Sequence, residues 1–285
     1  MTIIFGLLSA FSYGYADFVG ALAAKKVRAV AVTAISFSIG LVIALLLAIP
    51  LGAEFSQDTI QTSIYAGVSS AIAISCLYAA LALGPISIVS PLTAVISAVI
   101  PVAVDVALGQ KLSSFAFLAI GMILVAVVLV AFVPGDLVKL PSLLAVIYSI
   151  GAGLGFAGIF LFLDATDPES GLAPLIVMRI VGVVLLFAGL FAIFLRTRGR
   201  FLEREIFSPK LFGLILLAGS GDVLGNVFFL IATREGALAI AAVLTSLYPV
   251  GTIVLARIFL KERIAKSQTF GIALALGACA LLASG

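Results

Sequence analysis

Long apolar runs, cut by short clusters of charge, Gly and Pro, follow one another along the chain. A helix needs roughly 20 apolar residues to cross about 30 Å of hydrocarbon. The pattern therefore predicts ten membrane-spanning helices, at residues 2–23, 30–51, 60–83, 86–109 and 113–133, then 142–163, 172–195, 209–232, 237–258 and 267–284. The polar/apolar alternation of a membrane barrel strand is absent, so the expected fold class is an all-α polytopic membrane protein. The first run has the length of a secretory signal. No basic residue precedes it, however, Asp17 interrupts it, and Lys25, Lys26 and Arg28 follow it, so it reads as a retained span.

Composition narrows the classes further. The 285 residues are 64% hydrophobic and 10% charged, with a mean hydropathy of +1.36. An ordinary soluble domain is about 45–50% apolar and about 25% charged, so a soluble enzyme is excluded. Ten spans use about 210 residues, which leaves no room for a separate soluble domain. The net charge of +3, from 16 Lys and Arg against 13 Asp and Glu, is too mild for a nucleic-acid partner. Cys76 and Cys279 both fall inside apolar runs and read as small buried hydrophobes. They support neither redox chemistry nor a metal site, and no cofactor is expected.

The placement of the charges orients the chain. The odd-numbered loops hold Lys25, Lys26, Arg28, Lys139, Arg196, Arg198, Arg200, Arg204, Lys210, Arg257, Lys261, Arg263 and Lys266, and the even-numbered loops hold Lys111 and Arg234, which is 13 against 2. Cytoplasmic loops carry the excess of Lys and Arg. The odd loops are therefore expected in the cytoplasm, with both chain ends outside a cytoplasmic (inner) membrane.

The two halves look like copies. Gly84 and Gly236, and Leu108 and Leu260, are each 152 positions apart, so that Leu108-Gly109-Gln110-Lys111-Leu112 faces Leu260-Lys261-Glu262-Arg263-Ile264. Five spans per copy is an odd number, so the second copy, residues 136–285, enters the membrane the opposite way round to the first, residues 1–135. Inverted repeats are common among secondary transporters, whose substrate sites lie near the midplane where interrupted helices meet. Pro91 and Pro101 in helix 4 and Pro249 in helix 9 remove backbone donors at related positions, and Pro101 and Pro249 are the expected helix breaks near a site. Membrane helices also tolerate proline for packing alone.

On these features the chain resembles the drug/metabolite transporter superfamily, specifically the bacterial ten-helix family with two EamA-type halves. The residues that carry the likeness are Tyr13-Gly14-Tyr15-Ala16-Asp17-Phe18, Arg179 early in helix 7, Leu244-Thr245-Ser246-Leu247-Tyr248-Pro249, and Leu260-Lys261-Glu262-Arg263 before the last helix. The resemblance implies ten helices around a central cavity lined by helices 1, 3, 4, 6, 8 and 9, used for alternating-access transport of small metabolites. Two features depart from the family: Gln110 stands where Glu is usual before helix 5, and many members place both chain ends inside.

A charged side chain at the bilayer centre costs about 2.5–3.5 kcal/mol on insertion scales, so each one inside a span needs a reason. These are Asp17, Asp105, Arg179 and Asp222. Asp222 is near the middle of helix 8, with Asn226 four residues on and so on the same face. Asp17 has Tyr13 one turn before it, and Asp105 is close enough to the end of helix 4 to reach the interface. Arg179 either pairs with one of the acids as a structural ion pair or joins the binding site. A carboxylate left without a partner in a low-dielectric cavity can exchange a proton near neutral pH, and with no His in the chain that task falls to Asp222 or Asp17. Tyr13, Tyr78, Tyr148 and Tyr248 offer ring faces and hydroxyls for a cavity lining, although Tyr also gathers at membrane interfaces. Gly151, Gly153, Gly155 and Gly158 in helix 6 suit close helix packing.

The expected function is secondary transport, as an exporter of small organic metabolites such as amino acids or amines and other organic cations. The expected partners are that substrate, protons and the bilayer. A passive facilitator or channel is the alternative, although nothing reads as a charged ring or selectivity filter. Gly219-Ser220-Gly221-Asp222 matches the Gly-x-Gly-Asp of intramembrane aspartyl proteases. That chemistry needs a second Asp sharing the proton, and the Tyr-Asp and Pro-Ala-Leu motifs of those enzymes do not occur, so no enzyme is expected. A Ser–His mechanism is excluded by the absence of His.

Overall fold

The computed structural model describes every residue except 25, 28, 84–85, 132–140, 198–207, 260–264 and 285. Among the described residues the regular structure is helical: α1 (Thr2–Ala24), α2 (Ala29–Leu51), α3 (Gln57–Leu83), α4 (Ile86–Ala107), α5 (Ser114–Ala131), α6 (Leu143–Asp164), α7 (Ala173–Thr197), α8 (Pro209–Arg234), α9 (Leu238–Thr245), α10 (Tyr248–Phe259) and α11 (Lys266–Ser284), with a 3₁₀ turn at Pro168–Ser170. Six of these are long and apolar enough to cross a membrane by themselves, and four further apolar stretches are shorter. The protein is an all-α polytopic membrane protein. The loop residues Lys25, Arg28, Lys139, Arg198, Arg200, Arg204, Lys261 and Arg263, and the segment Leu260–Ile264 used in the repeat alignment, lie outside the described residues.

Serine sets several helix starts. Ser56, Ser113, Ser142 and Ser208 each accept a hydrogen bond from a backbone N–H three residues on, at 3.1, 3.1, 3.1 and 3.3 Å, which satisfies donors a helix start leaves open. At the other end, Gly52 closes α2 with φ 77°, a conformation that glycine adopts without the Cβ penalty.

Helix contacts reproduce the repeat. Counting α9 and α10 as the ninth span, moving each span five places on turns the α1–α8 contact into α6–α3, and α4–α6 into the contact of the ninth span with α1. The α2–α7 and α5–α11 pairs map onto themselves. Five spans related in this way are two inverted copies about a pseudo-two-fold axis in the membrane plane.

The ninth span is interrupted at Ser246–Leu247, just before Pro249, where Leu247 N–H donates to Leu244 O at 3.1 Å and Val250 N–H to Leu247 O at 2.8 Å. The α1 backbone presses on this break: a Cβ at Gly14 would lie 2.5 Å from Tyr248 O and 2.9 Å from Thr252 N, and Thr252 Oγ1 donates to Gly14 O at 3.1 Å. Helix 4 differs from expectation. It runs unbroken through Pro91 and Pro101, so the interruption expected at Pro101 is corrected to a continuous helix. Pro101 leaves the Ser97 carbonyl without its helical donor, and the Ser97 hydroxyl donates back to Ala94 O at 2.9 Å within the continuous helix.

Among the described residues the buried apolar side chains form several clusters, the largest of them on the even-loop side. The largest cluster joins Phe160 and Leu163 at the end of α6, Leu175 and Met178 at the start of α7, Phe229 and Leu230 late in α8, and Leu238, Ala241 and Ala242 of α9. The Phe160 and Phe229 rings stack with centroids 4.3 Å apart.

Candidate functional site

The site begins on α1. Ile4, Leu7, Leu8 and Phe11 are exposed and share one face of the helix, which is the lipid face. Tyr13 and Asp17, one turn apart, lie on the opposite side, and yet Asp17 is exposed as well. An exposed carboxylate on the inward face of a spanning helix lines an internal opening. Following that face from the even-loop end, Gly6 and Ser9 are buried, Tyr13 is half-buried and Asp17 is open.

Helix α8 supplies the opposing wall. Ser9 Oγ donates to Gly225 O at 2.8 Å, and a Cβ at Gly225 would meet the Tyr13 ring at 2.9 Å. At Gly221 a Cβ would lie 2.8 Å from the Tyr15 ring, and at Gly219 it would lie 2.6 Å from Ser36 O of α2. The glycines before Asp222 therefore let α1 and α2 approach closely, which accounts for the Gly-x-Gly-Asp sequence without protease chemistry.

Asp222 meets Arg179 of α7, with Nη2 and Oδ2 at 2.5 Å. The contact is one of charges without hydrogen-bond alignment, since these two atoms, like Arg179 Nε and Nη1, have no aligned hydrogen-bond partner among the described residues. The Arg179 side chain is 0% exposed and that of Asp222 25%. The guanidinium lies 4.5 Å from the Phe37 ring centroid, a cation–π contact. On α2, a Cβ at Gly40 would come within 3.1 Å of Nη1 and 3.2 Å of Cζ. Asn226 is buried and donates from Nδ2 to Asp222 O at 2.8 Å. Asp17 lies within electrostatic range of Asp222, and Tyr13 within range of Asp222, Arg179 and Asp17.

Of the residues expected at a site, Tyr13, Asp17, Arg179, Asp222 and Asn226 thus form one cluster. Tyr248 is half-buried at the start of α10, joined to the cluster through the contact of Gly14 with its carbonyl. Pro249 is buried beside it, while Pro101 is buried in α4 one turn before Asp105. The side chain of Tyr78 lies outside the described residues. No group of three His, Cys, Asp or Glu among the described residues is arranged to hold a metal ion.

On the even-loop side, polar contacts join the same helices. The N-cap of α9 is Ala237, which offers no side chain to the helix start. Asp105 of α4 fills this role from the neighbouring repeat, accepting from Ala239 N–H at 2.9 Å, where the helix dipole favours a negative charge. Thr233 Oγ1 donates to Asp164 Oδ1, joining α8 to α6. Arg234 Nη2 donates to Ser170 Oγ at 3.1 Å and Asp167 O at 3.3 Å, and Leu172 N–H to Gly52 O at 2.9 Å.

The model of the EamA-like transporter family matches residues 1–132 and again residues 143–284. The chain belongs to the EamA-like transporter family. This EamA-like protein is accordingly a multi-pass membrane protein of a family that transports small molecules, with a small-molecule substrate and membrane lipid as its partners. Among curated proteins none matches it. A solved crystal structure is similar, with a TM-score of 0.78 over 99% of this chain and 96% of that one at 14% identity, a likeness of fold.

Sequence reasoning missed Phe37, Gly40, Asp105 as a cap, and Asp164. Only the α9 start held a legible signal: a helix opening on Gly236-Ala237-Leu238 has no capping side chain of its own, so its open donors call for a partner from elsewhere.

Proposed function

We propose that the protein is a secondary active transporter, an exporter of small organic metabolites such as amino acids or amines and other organic cations, working by alternating access in exchange for protons. In this reading it is not an enzyme, it sits in the cytoplasmic membrane with the odd-numbered loops in the cytoplasm and both chain ends outside, and the repeats divide at about residue 135. Tyr13, Asp17, Asp222 and Asn226 form the site, and Asp17 or Asp222 carries the proton.

One observation carries the proposal: on the inward face of α1 Asp17 is exposed, while Gly6 and Ser9, toward the even-loop end, are buried. A pore is continuous through the membrane, whereas a carrier presents its site to one side at a time. The Phe160–Phe229 stack and the Asp105–Ala239 and Thr233–Asp164 contacts support a closed outer gate, and an opening toward the cytoplasm is the loading state of an exporter.

The test is transport in proteoliposomes holding a pH-sensitive dye, with amino acids, amines and quaternary ammonium compounds offered under an imposed pH gradient. Saturable counterflow of one class, with proton movement that depends on it, is the expected result. Unsaturable flux without counterflow would replace the carrier by a channel.

A further inference from the structure

Amino acids and organic cations differ in one respect this site distinguishes: a zwitterion brings a carboxylate that needs a cation to receive it. Arg179 is the cation of the cluster, and it is enclosed. Its side chain has no exposed surface, Phe37 lies 4.5 Å away, the α2 backbone at Gly40 comes so near that an added Cβ would sit 3.1 Å from Nη1, and Nη2 is turned to Asp222 at 2.5 Å. A substrate carboxylate would have to displace Asp222 to reach it, and would then sit among two acids.

The accessible groups ask for the opposite charge. Asp17 is exposed on the inward face of α1 and makes no ion pair among the described residues. Asp222 keeps a quarter of its side chain open, and the half-buried Tyr13 lies within range of both acids. Asn226, one turn beyond Asp222 on the same face of α8, is 4% exposed. Its Nδ2 donates to Asp222 O, while its buried Oδ1 receives no donor among the described residues. With Arg179 and Asp222 offsetting one another, the cluster has one carboxylate over among the described residues, and the polar groups it leaves exposed, Asp17 and a quarter of Asp222, are acceptors, while the Arg179 donors are enclosed.

Resting on the transporter reading above, we infer that the substrate is a protonated amine, whose ammonium is received by Asp17 with the Tyr13 ring beside it. Arg179 is a positioning residue that holds Asp222 and takes no substrate carboxylate. Asp17 cannot hold an ammonium and a proton together, so the two ligands compete for it and exchange follows from the chemistry.

The experiment measures binding to the purified protein in lipid nanodiscs for matched compounds: phenethylamine, phenylalanine and 3-phenylpropionate, with butylamine, norvaline and pentanoate as an aliphatic set. The same compounds are scored for counterflow in proteoliposomes. An amine should bind at least about tenfold more tightly than its amino acid and carboxylate, which corresponds to about 1.4 kcal/mol. Asp17→Asn should lose that preference and Asp17→Glu should retain it, with both variants monodisperse. Preference for an amino acid or carboxylate, amine binding that survives in Asp17→Asn, or counterflow of another class without amine binding would overturn the inference while leaving a transporter. No counterflow of any class would overturn the transporter reading as well.

Discussion

Asp222→Asn is expected to lose transport and to weaken the fold. The substitution leaves the Arg179 guanidinium charged, fully enclosed and facing a neutral amide, and removing one partner of a buried pair costs about 3–5 kcal/mol. Asp222 is a quarter exposed, so the cost should fall near the lower figure, about 3 kcal/mol. Thermal unfolding in detergent measures it. The double variant Arg179→Met with Asp222→Asn separates the two roles of the acid, because it removes the stranded charge with the pair. It should recover most of the stability and none of the transport. Recovery of both would reduce Asp222 to a structural counter-ion.

Gly14→Ala should be the most damaging single-methyl change in α1. Its Cβ would meet Tyr248 O at 2.5 Å, Thr252 N at 2.9 Å and Gly251 Cα at 3.0 Å. All three are backbone atoms, so no side chain can swing aside. Overpacking of this kind costs about 1–3 kcal/mol, and it would force α1 off the broken ninth span next to Tyr13. Gly189→Ala and Gly213→Ala are the controls: each meets nothing within 4 Å, and in a helix the exchange favours Ala by about 1 kcal/mol. A shift in unfolding temperature downward for Gly14→Ala and upward or unchanged for the controls is the expected pattern. Equal shifts would mean that the close approach of α1 to the break is not what the glycine serves.

The elements and the site differ in how far they were legible in the sequence. The spans stand out because hydrocarbon imposes one length and one composition on every helix that crosses it. The Tyr13–Asp17 and Asp222–Asn226 pairs could be read from helical spacing, and pairing of Arg179 with a carboxylate from the cost of burying a charge. Which carboxylate was not legible, since that depends on α7 and α8 both packing against α2. Phe37 and Gly40 escape for the same reason: their role exists only where α2 crosses α7, and a lone Phe or Gly in an apolar run carries no signal. The prolines show the limit of a local rule. Pro101 and Pro249 both follow a hydroxyl residue, Ser97 and Thr245, at four positions' distance, yet α4 continues and the ninth span breaks. At the break the Thr245 hydroxyl is buried without a hydrogen-bond partner among the described residues, and the glycine of another helix presses against the next turn.

The site beside Asp17 is expected to rest open toward the odd-numbered loops and closed toward the even-numbered ones. This is tested most directly by placing a single reactive thiol there, Asp17→Cys in a background with Cys76→Ala and Cys279→Ala, and offering a membrane-impermeant thiol reagent to right-side-out and inside-out vesicles in turn. Rapid modification of the substrate-free protein from the side of the odd-numbered loops, with protection from the other side, is the expected result. Equal modification from both sides, or modification from the even-loop side alone, would contradict it.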